Sequence, residues 1–393
     1  MALQLFSIET TGIAPMRNKV LIILGLSLLS LQACSKETVA VPEEEPLTRI
    51  ELIVKDYEII WGMDFLPNGD LIFGEKRGRL YRKAGDVITE ITGFPAVLTN
   101  GQGGLLDVRV HPDFLENGWI YACYAAANPG NGGQLKLIRF RIAGTEVQDT
   151  EELFATGGAD TWFGHYGSRI AFDENNFLFL SVGEGGSTSY GGAGTGNNNA
   201  QDPKSDWGKI HRLKDDGSIP SDNPVIPGNS TPTSVYSYGH RNPQGLAVHP
   251  GTGRVWATEH GPKGGDEVNI ITSGANYGWP MYSIGVNYDG KAISSGHEAE
   301  GITPPLYTWT PSIGICGMAF ITSDKFKAWK GNLLVSGLAS QKLYRCVLDG
   351  DSVTEEHELL TGYGRVRNVV QAPDGSVYVS VEGPGRIIRI VPE

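Results

Sequence analysis

Pro67-Asn68-Gly69-Asp70-Leu71-Ile72-Phe73 is a tight turn that runs directly into a strand. Asn, Asp and Gly accept the positive φ angles of such turns, and the apolar residues that follow read as a half-buried strand. The same unit returns at Pro112-Asp113 through Gly118-Trp119-Ile120-Tyr121, and again at Asp173-Glu174-Asn175-Asn176-Phe177-Leu178-Phe179. Three more copies follow: Pro250-Gly251 through Arg254-Val255-Trp256, Lys330-Gly331-Asn332-Leu333-Leu334-Val335, and Pro373-Asp374-Gly375-Ser376-Val377-Tyr378-Val379. Near the chain ends their spacing approaches the about 40 to 50 residues of a propeller blade, and it widens in the middle where loops are inserted. With 53 glycines in 393 residues and little long helical periodicity, the chain reads as all-β. The expectation is a six-bladed β-propeller of four-stranded antiparallel blades spanning 47–393, closed by pairing Ile50 to Ile60 with Gly385 to Val391. A pair of β-sandwiches is the competing fold, but it gives no reason for one turn to recur along the whole chain.

The N-terminus says where the propeller works. A basic start (Met16-Arg17-Asn18-Lys19) precedes an apolar run, Val20 to Leu31, that ends in Leu31-Gln32-Ala33-Cys34. That run is shorter than the about 20 residues needed to span a bilayer. It reads as a signal peptide over 1–33, with Met16 a plausible true start, and Cys34 as a lipidation site. Residues 34–46 are polar and acidic and read as a flexible tether. The expectation is an exported lipoprotein, periplasmic or at the cell surface and anchored at the outer membrane by lipid alone.

Formal net charge is −12, and loss of Glu9, Arg17 and Lys19 with the signal segment makes the remainder one unit more negative. Such a surface argues against a nucleic-acid partner. Beyond Cys34 there remain Cys123, Cys316 and Cys346. Cys123 and Cys346 sit in apolar strand-like runs and read as buried small hydrophobes. One disulfide is open to an exported protein, with a pairing the sequence does not reveal.

Propellers carry function on the loops around their central channel. His111 and His249 both stand just before the repeat turn, so they read as structural. His165, in Trp162-Phe163-Gly164-His165-Tyr166-Gly167-Ser168-Arg169, breaks that register and is the candidate base. Gly239-His240-Arg241-Asn242-Pro243-Gln244-Gly245 puts a cation and a carboxamide in a rigid loop, and Arg365 and Arg367 form a second basic pair. Those arginines suit either an anionic ligand in the channel or surface salt bridges. Glu259-His260-Gly261-Pro262-Lys263-Gly264-Gly265-Asp266-Glu267 offers hard oxygen ligands of the kind calcium takes, without EF-hand spacing. The glycine-rich run from Gly183 to Gly196 lacks a Gly-Lys-Ser/Thr end, which argues against a nucleotide cradle.

Taken in order, these pieces resemble the glucose/sorbosone dehydrogenase family, especially its aldose sugar dehydrogenase branch, from about Trp61 to Ile390. The matching segments are Gly101-Gln102-Gly103-Gly104-Leu105-Leu106-Asp107 with His111-Pro112-Asp113-Phe114, His165 with Gly167-Ser168-Arg169, the Gly239 to Gly245 loop, Glu259-His260-Gly261-Pro262 with Asp266-Glu267, Asn276-Tyr277-Gly278-Trp279-Pro280, and Arg365-Val366-Arg367. The resemblance implies a pyrroloquinoline quinone (PQQ) cofactor beside a calcium ion. It makes His165 the base that deprotonates the anomeric hydroxyl of an aldose sugar, and Arg241 a stabiliser of the developing charge. Gln102, Glu184, Asn242, Arg365 and Arg367, together with Arg241, become residues of the cofactor site. Gly261 and Pro262 become carbonyl ligands of the catalytic calcium, Glu267 and Tyr277 match a second calcium site, and Trp309 borders the sugar.

Two features depart from that pattern. A cofactor-contacting lysine of many members aligns with Ala339, and Lys342 is too far along to replace it. The insert from Gly185 to Asn199 alters the loop beside the cofactor pocket. The expected function is PQQ- and calcium-dependent oxidation of aldoses to lactones, with electrons passed to an unidentified acceptor. A calcium-dependent propeller lactonase and a non-catalytic propeller that binds glycans or proteins are the alternatives.

Overall fold

The computed structural model describes residues 47–186, 198–293 and 299–393. The signal segment, Cys34, the tether to residue 46 and most of the Gly185–Asn199 insert lie outside the described residues. The described chain folds into six four-stranded antiparallel sheets. These are the blades of a β-propeller, as the six repeat units imply, and the sandwich alternative falls.

Each repeat turn joins the innermost strand of a blade to its second strand. The innermost strands are Ile60–Phe65, Leu105–Val110, Ile170–Phe172, Pro243–Val248, Ile315–Phe320 and Arg365–Gln371, in blades 1 to 6. Blades 1 and 6 build the turn identically. The Leu66 N–H donates to the Asp70 carbonyl and the Ala372 N–H to that of Ser376, both at 2.8 Å. Gly69 and Gly375 sit inside these turns at φ 88° and 81°, where a side chain is strained. The recurrent histidines are structural, as their register suggests. His111 Nδ1 accepts the Asp113 N–H at 2.9 Å, and His249 Nδ1 accepts that of Gly251 at 3.1 Å, so each caps its own turn.

The ring closes by mixing the two chain ends in one blade. Strand Thr48–Tyr57 is the outermost strand of blade 6 and pairs antiparallel with Gly385–Pro392, placing Ile50 opposite Ile390 and Leu52 opposite Ile388. This leaves neither end strand unpaired on its inner side, which disposes of the exposed edges that invite aggregation.

The apolar core is divided among the six gaps between neighbouring blades. Between blades 2 and 3, for example, Leu106, Tyr121 and Leu137 pack on Ile170, Leu180 and Trp207. Fully burying each such aliphatic or aromatic side chain is worth about 1.5–3 kcal/mol, so the blades are held face to face rather than around one centre. Cys123 and Cys346 belong to two of these layers, and all three described cysteines are buried and unpaired.

Arg169 plugs the axis. Its Nε donates to the Gln244 carbonyl at 2.7 Å, and its Nη1 donates to the Trp61 carbonyl at 3.1 Å and to Asp107 Oδ1 at 3.0 Å. One buried guanidinium thus ties blades 1, 2, 3 and 4 together and separates two hollows. The larger, about 820 Å³, opens on the side of the repeat turns. Its charged groups are mostly spent on one another, as in Arg169 with Asp107, Arg109 with Asp64, and Lys325 with Asp374. The smaller lies at the opposite mouth.

Candidate active site

The cavity at that mouth, about 470 Å³, brings His165, Arg241, Asn242, Gln102, Arg365 and Arg367 together from loops far apart in sequence. Gly261, Pro262 and Ala339 also line it. Its volume lies in the range of small-molecule sites, about 300–1,000 Å³.

His165 is held by three separate devices. First, the Asp160 carboxylate gathers the N–H groups of Trp162, Phe163 and Gly164 at 2.8, 3.0 and 2.8 Å, winding the chain into a tight loop. Within it Phe163, His165 and Ser168 adopt φ of 61°, 50° and 85°, a left-handed conformation that costs non-glycine residues energy and often marks functional sites. Second, the His165 N–H donates to Gln102 Oε1 at 3.0 Å. Third, its ring Nδ1 lies 2.7 Å from Glu184 Oε1, and both side chains are almost fully buried. That bond turns Nε2 away from Glu184, while the Trp162 indole meets the imidazole edge-on at 5.0 Å. Burial is the main force on both titrations, holding the imidazole well below its usual range and pushing the Glu184 carboxyl up to about 8.

Arg241 is fixed across the cavity from a second carboxylate. Its backbone N–H donates to Glu259, whose other oxygen lies 2.8 Å from His240 Nδ1. The Arg241 carbonyl accepts the Glu184 N–H at 2.8 Å, which couples the arginine loop to the strand behind His165. The guanidinium lies over Trp279 and donates Nη1 to the carbonyls of His260 and Gly261 at 3.2 and 3.1 Å. Those carbonyls are aimed by Asp266, whose Oδ1 accepts the Gly261 N–H at 2.9 Å while Oδ2 accepts that of Ile315 at 2.9 Å. Glycine is required at 261, because a Cβ there would sit 2.2 Å from the Gly264 carbonyl oxygen. Two backbone carbonyls converging on one cation are the kind of hard-oxygen arrangement that calcium also takes.

The opposite wall carries the basic pair. Glu382 bridges it, accepting Arg367 Nε at 2.6 Å and Arg365 Nε at 3.0 Å. Arg367 also donates to Gln244 Oε1 at 2.9 Å and stacks 3.8 Å above the Trp61 ring, so it is locked in place while Arg365 remains half exposed. Asn242 faces the floor, its Oδ1 accepting the Gly167 N–H at 3.1 Å.

Other candidates fall elsewhere. Glu184 stands behind His165 rather than on the cavity wall. Glu267 and Tyr277 border a much smaller hollow with Glu259, Trp279 and Ser283, which adjoins the cavity through Arg241, His260 and Gly261. Trp309 is not among the residues lining the cavity: its indole is buried between blades 4 and 5 and donates Nε1 to Glu356 at 2.5 Å. The reason is strand alternation, which turns its side chain into the blade gap while its carbonyl accepts the Gly265 N–H and props the Gly261 loop. Reading motifs from sequence overlooked Lys76, Trp61, Asp266 and Glu382, all of which line the cavity. Of these only Asp266 lay inside a quoted motif.

Residues 57–389 match the Glucose / Sorbosone dehydrogenase family. The aldose sugar dehydrogenase YliI of Escherichia coli is 34% identical over 87% of this chain and 92% of its own. Among solved structures, the apo form of the soluble aldose sugar dehydrogenase of Escherichia coli superposes with a TM-score of 0.82 at 34% identity, covering 88% of this chain and all of that one. The PQQ-bound aldose sugar dehydrogenase of Streptomyces coelicolor does so with a TM-score of 0.70 at 28% identity, covering 89% of this chain and all of that one.

Proposed function

The chain belongs to the glucose/sorbosone dehydrogenase family, and on that premise we propose that it oxidises aldose sugars at C1 to lactones with PQQ and calcium. The observation that carries the proposal is the opposition, within one cavity, of a buried imidazole backed by a carboxylate and a set of fixed guanidiniums. The residues present suit both groups. PQQ is a flat tricarboxylate, and Arg365 and Arg367 on one wall, with Gln102 and Asn242 elsewhere on the lining, supply the cations and carboxamides it needs. A neutral lactone would need no such counter-charge. The carbonyls of Gly261 and Pro262 would be the calcium ligands, and because the Gly261 carbonyl accepts Arg241 Nη1 at 3.1 Å, the ion would have to displace or share that contact. Glu267 and the Tyr277 carbonyl suit a second, structural calcium.

When bound, PQQ supplies a two-electron acceptor for the hydride that leaves C1. His165 takes the other half of the reaction: its Nε2 receives the proton of the anomeric hydroxyl as the C1–O bond becomes a carbonyl. Glu184 holds the imidazole by Nδ1 and stabilises it as it gains charge. Arg241 donates toward oxygen where negative charge develops, and being fixed beforehand by Glu259 and Trp279 it needs little reorganisation. Electrons then leave to an acceptor of unassigned identity.

The test is reconstitution. PQQ and calcium are added to the purified protein and dye reduction is followed with a panel of aldoses. Cofactor-dependent turnover, lost in His165→Ala, is expected, and no turnover with any aldose would reject the proposal. We further propose that the chain is exported and lipid-anchored through Cys34, on the strength of Leu31-Gln32-Ala33-Cys34. Release of a Cys34→Ala variant from the membrane fraction is the expected result, and unchanged membrane retention the contrary one.

A further inference from the structure

Lys76 lies in the loop between the second and third strands of blade 1 and lines the His165 cavity beside Arg365, Arg367 and Glu382. Its position is built rather than incidental. The Lys76 N–H donates to the Ile59 carbonyl at 2.8 Å and its carbonyl accepts the Leu105 N–H at 2.9 Å. Gly104 makes room for it, since a Cβ there would sit 2.1 Å from the Lys76 carbonyl oxygen and 2.6 Å from its Cγ. The glycine that ends Gly101-Gln102-Gly103-Gly104 is thus explained by the lysine stem that crosses it. At the tip, Nζ donates to the Thr99 carbonyl at 3.1 Å.

The charges around it are unbalanced. Glu382 is shared by Arg365 and Arg367, so that wall keeps one net positive charge before Lys76 is counted. Lys76 adds a second, and among the described residues no carboxylate forms an ion pair with it. Burial, with Arg367 nearby, pulls its ammonium below the usual lysine range, against the weaker pull of Glu58 and Glu382. Three cations sharing one carboxylate favour an anionic ligand between them. Ala339, also on the cavity lining, offers no charge.

Resting on the PQQ reading above, we propose that Lys76 is a cofactor-binding residue that pairs with a carboxylate of PQQ alongside Arg365, supplying from blade 1 the cation that position 339 lacks. The test is equilibrium binding of PQQ to the full-length, calcium-supplemented protein, followed by absorbance or tryptophan quenching without any sugar. Lys76→Gln should weaken binding about tenfold, the scale of one charge-assisted hydrogen bond. Lys76→Arg should stay within about threefold of wild type, and Lys55→Gln, at an exposed lysine, should not change it. The trimethyl ester of PQQ, which carries no carboxylate charge, should bind wild type and Lys76→Gln alike, a difference that a merely structural effect would not produce. Lys76→Met, which keeps the stem, replaces the glutamine variant if that one does not fold. Equal PQQ affinity of wild type and Lys76→Gln overturns the assignment while leaving the PQQ reading intact. Failure of the wild type to bind PQQ overturns both.

Discussion

His165 Nδ1 and Glu184 Oε1 lie 2.7 Å apart with both side chains almost fully buried, so the imidazole and the carboxyl share protons as one unit. With the carboxyl pushed up to about 8 by burial, the unit carries one more proton below that pH than above it. In the proton-rich form the Glu184 hydroxyl donates to Nδ1, the ring proton sits on Nε2, and the base is silent. Once that proton is lost, Nδ1 donates to the carboxylate and Nε2 exposes its lone pair. The kcat/KM profile should therefore rise with pH through a limb near 8. Glu184→Gln accepts the Nδ1 proton without titrating and should flatten that limb. A profile in which the limb survives the substitution would place the titration elsewhere. His165→Ala should lose about 10²–10⁴ in kcat.

Arg169 holds four blades at the axis by one buried guanidinium paired to Asp107. Arg169→Met strands that carboxylate, and breaking a buried pair from one side costs about 3–5 kcal/mol. Chemical denaturation should register a loss of that order, partly recovered by Arg169→Met with Asp107→Asn. A midpoint unchanged in the single variant would contradict the axial role.

Strand Thr48–Tyr57 completes blade 6 from the opposite end of the chain. A chain starting at residue 58 should expose the Gly385–Pro392 edge and self-associate or aggregate, as read by size-exclusion chromatography and a lowered unfolding temperature. A monomer of unchanged stability would show that closure does not matter.

Cys123, Cys316 and Cys346 are each fully buried. Burial pushes the Cys123 thiol well up and that of Cys346 up to about 12, away from the reactive thiolate. In a chain lacking residues 1–34, thiol titration should find no reactive cysteine until denaturant is added and three afterwards. Fewer than three in denaturant would reveal a disulfide.

What the sequence exposed and what it hid follow one physical line. The turn at Pro67–Asp70 and its five echoes depend on local backbone conformation, so Asn, Asp, Gly and Pro announce them without reference to the rest of the chain. Closure was legible because both terminal segments are apolar runs in need of a partner. His165 stood out because it broke the register that His111 and His249 keep. By contrast, Lys76 reaches the cavity only through a contact with Gly104, and Arg169 reaches the axis only once four blades have assembled. Trp309 sits near the site in the chain and away from it in space, because one step along a strand turns a side chain to the other face.

The central claim is that this cavity oxidises an aldose through His165, and anaerobic single turnover tests it most directly. Protein loaded with PQQ and calcium is mixed with aldose, and the absorbance of the bound cofactor is followed without any electron acceptor. The expected result is stoichiometric reduction in the wild type, with His165→Ala still binding PQQ but reduced at least about a hundredfold more slowly. A loaded wild type that no aldose reduces, or a His165→Ala variant reduced at the wild-type rate, would contradict the claim.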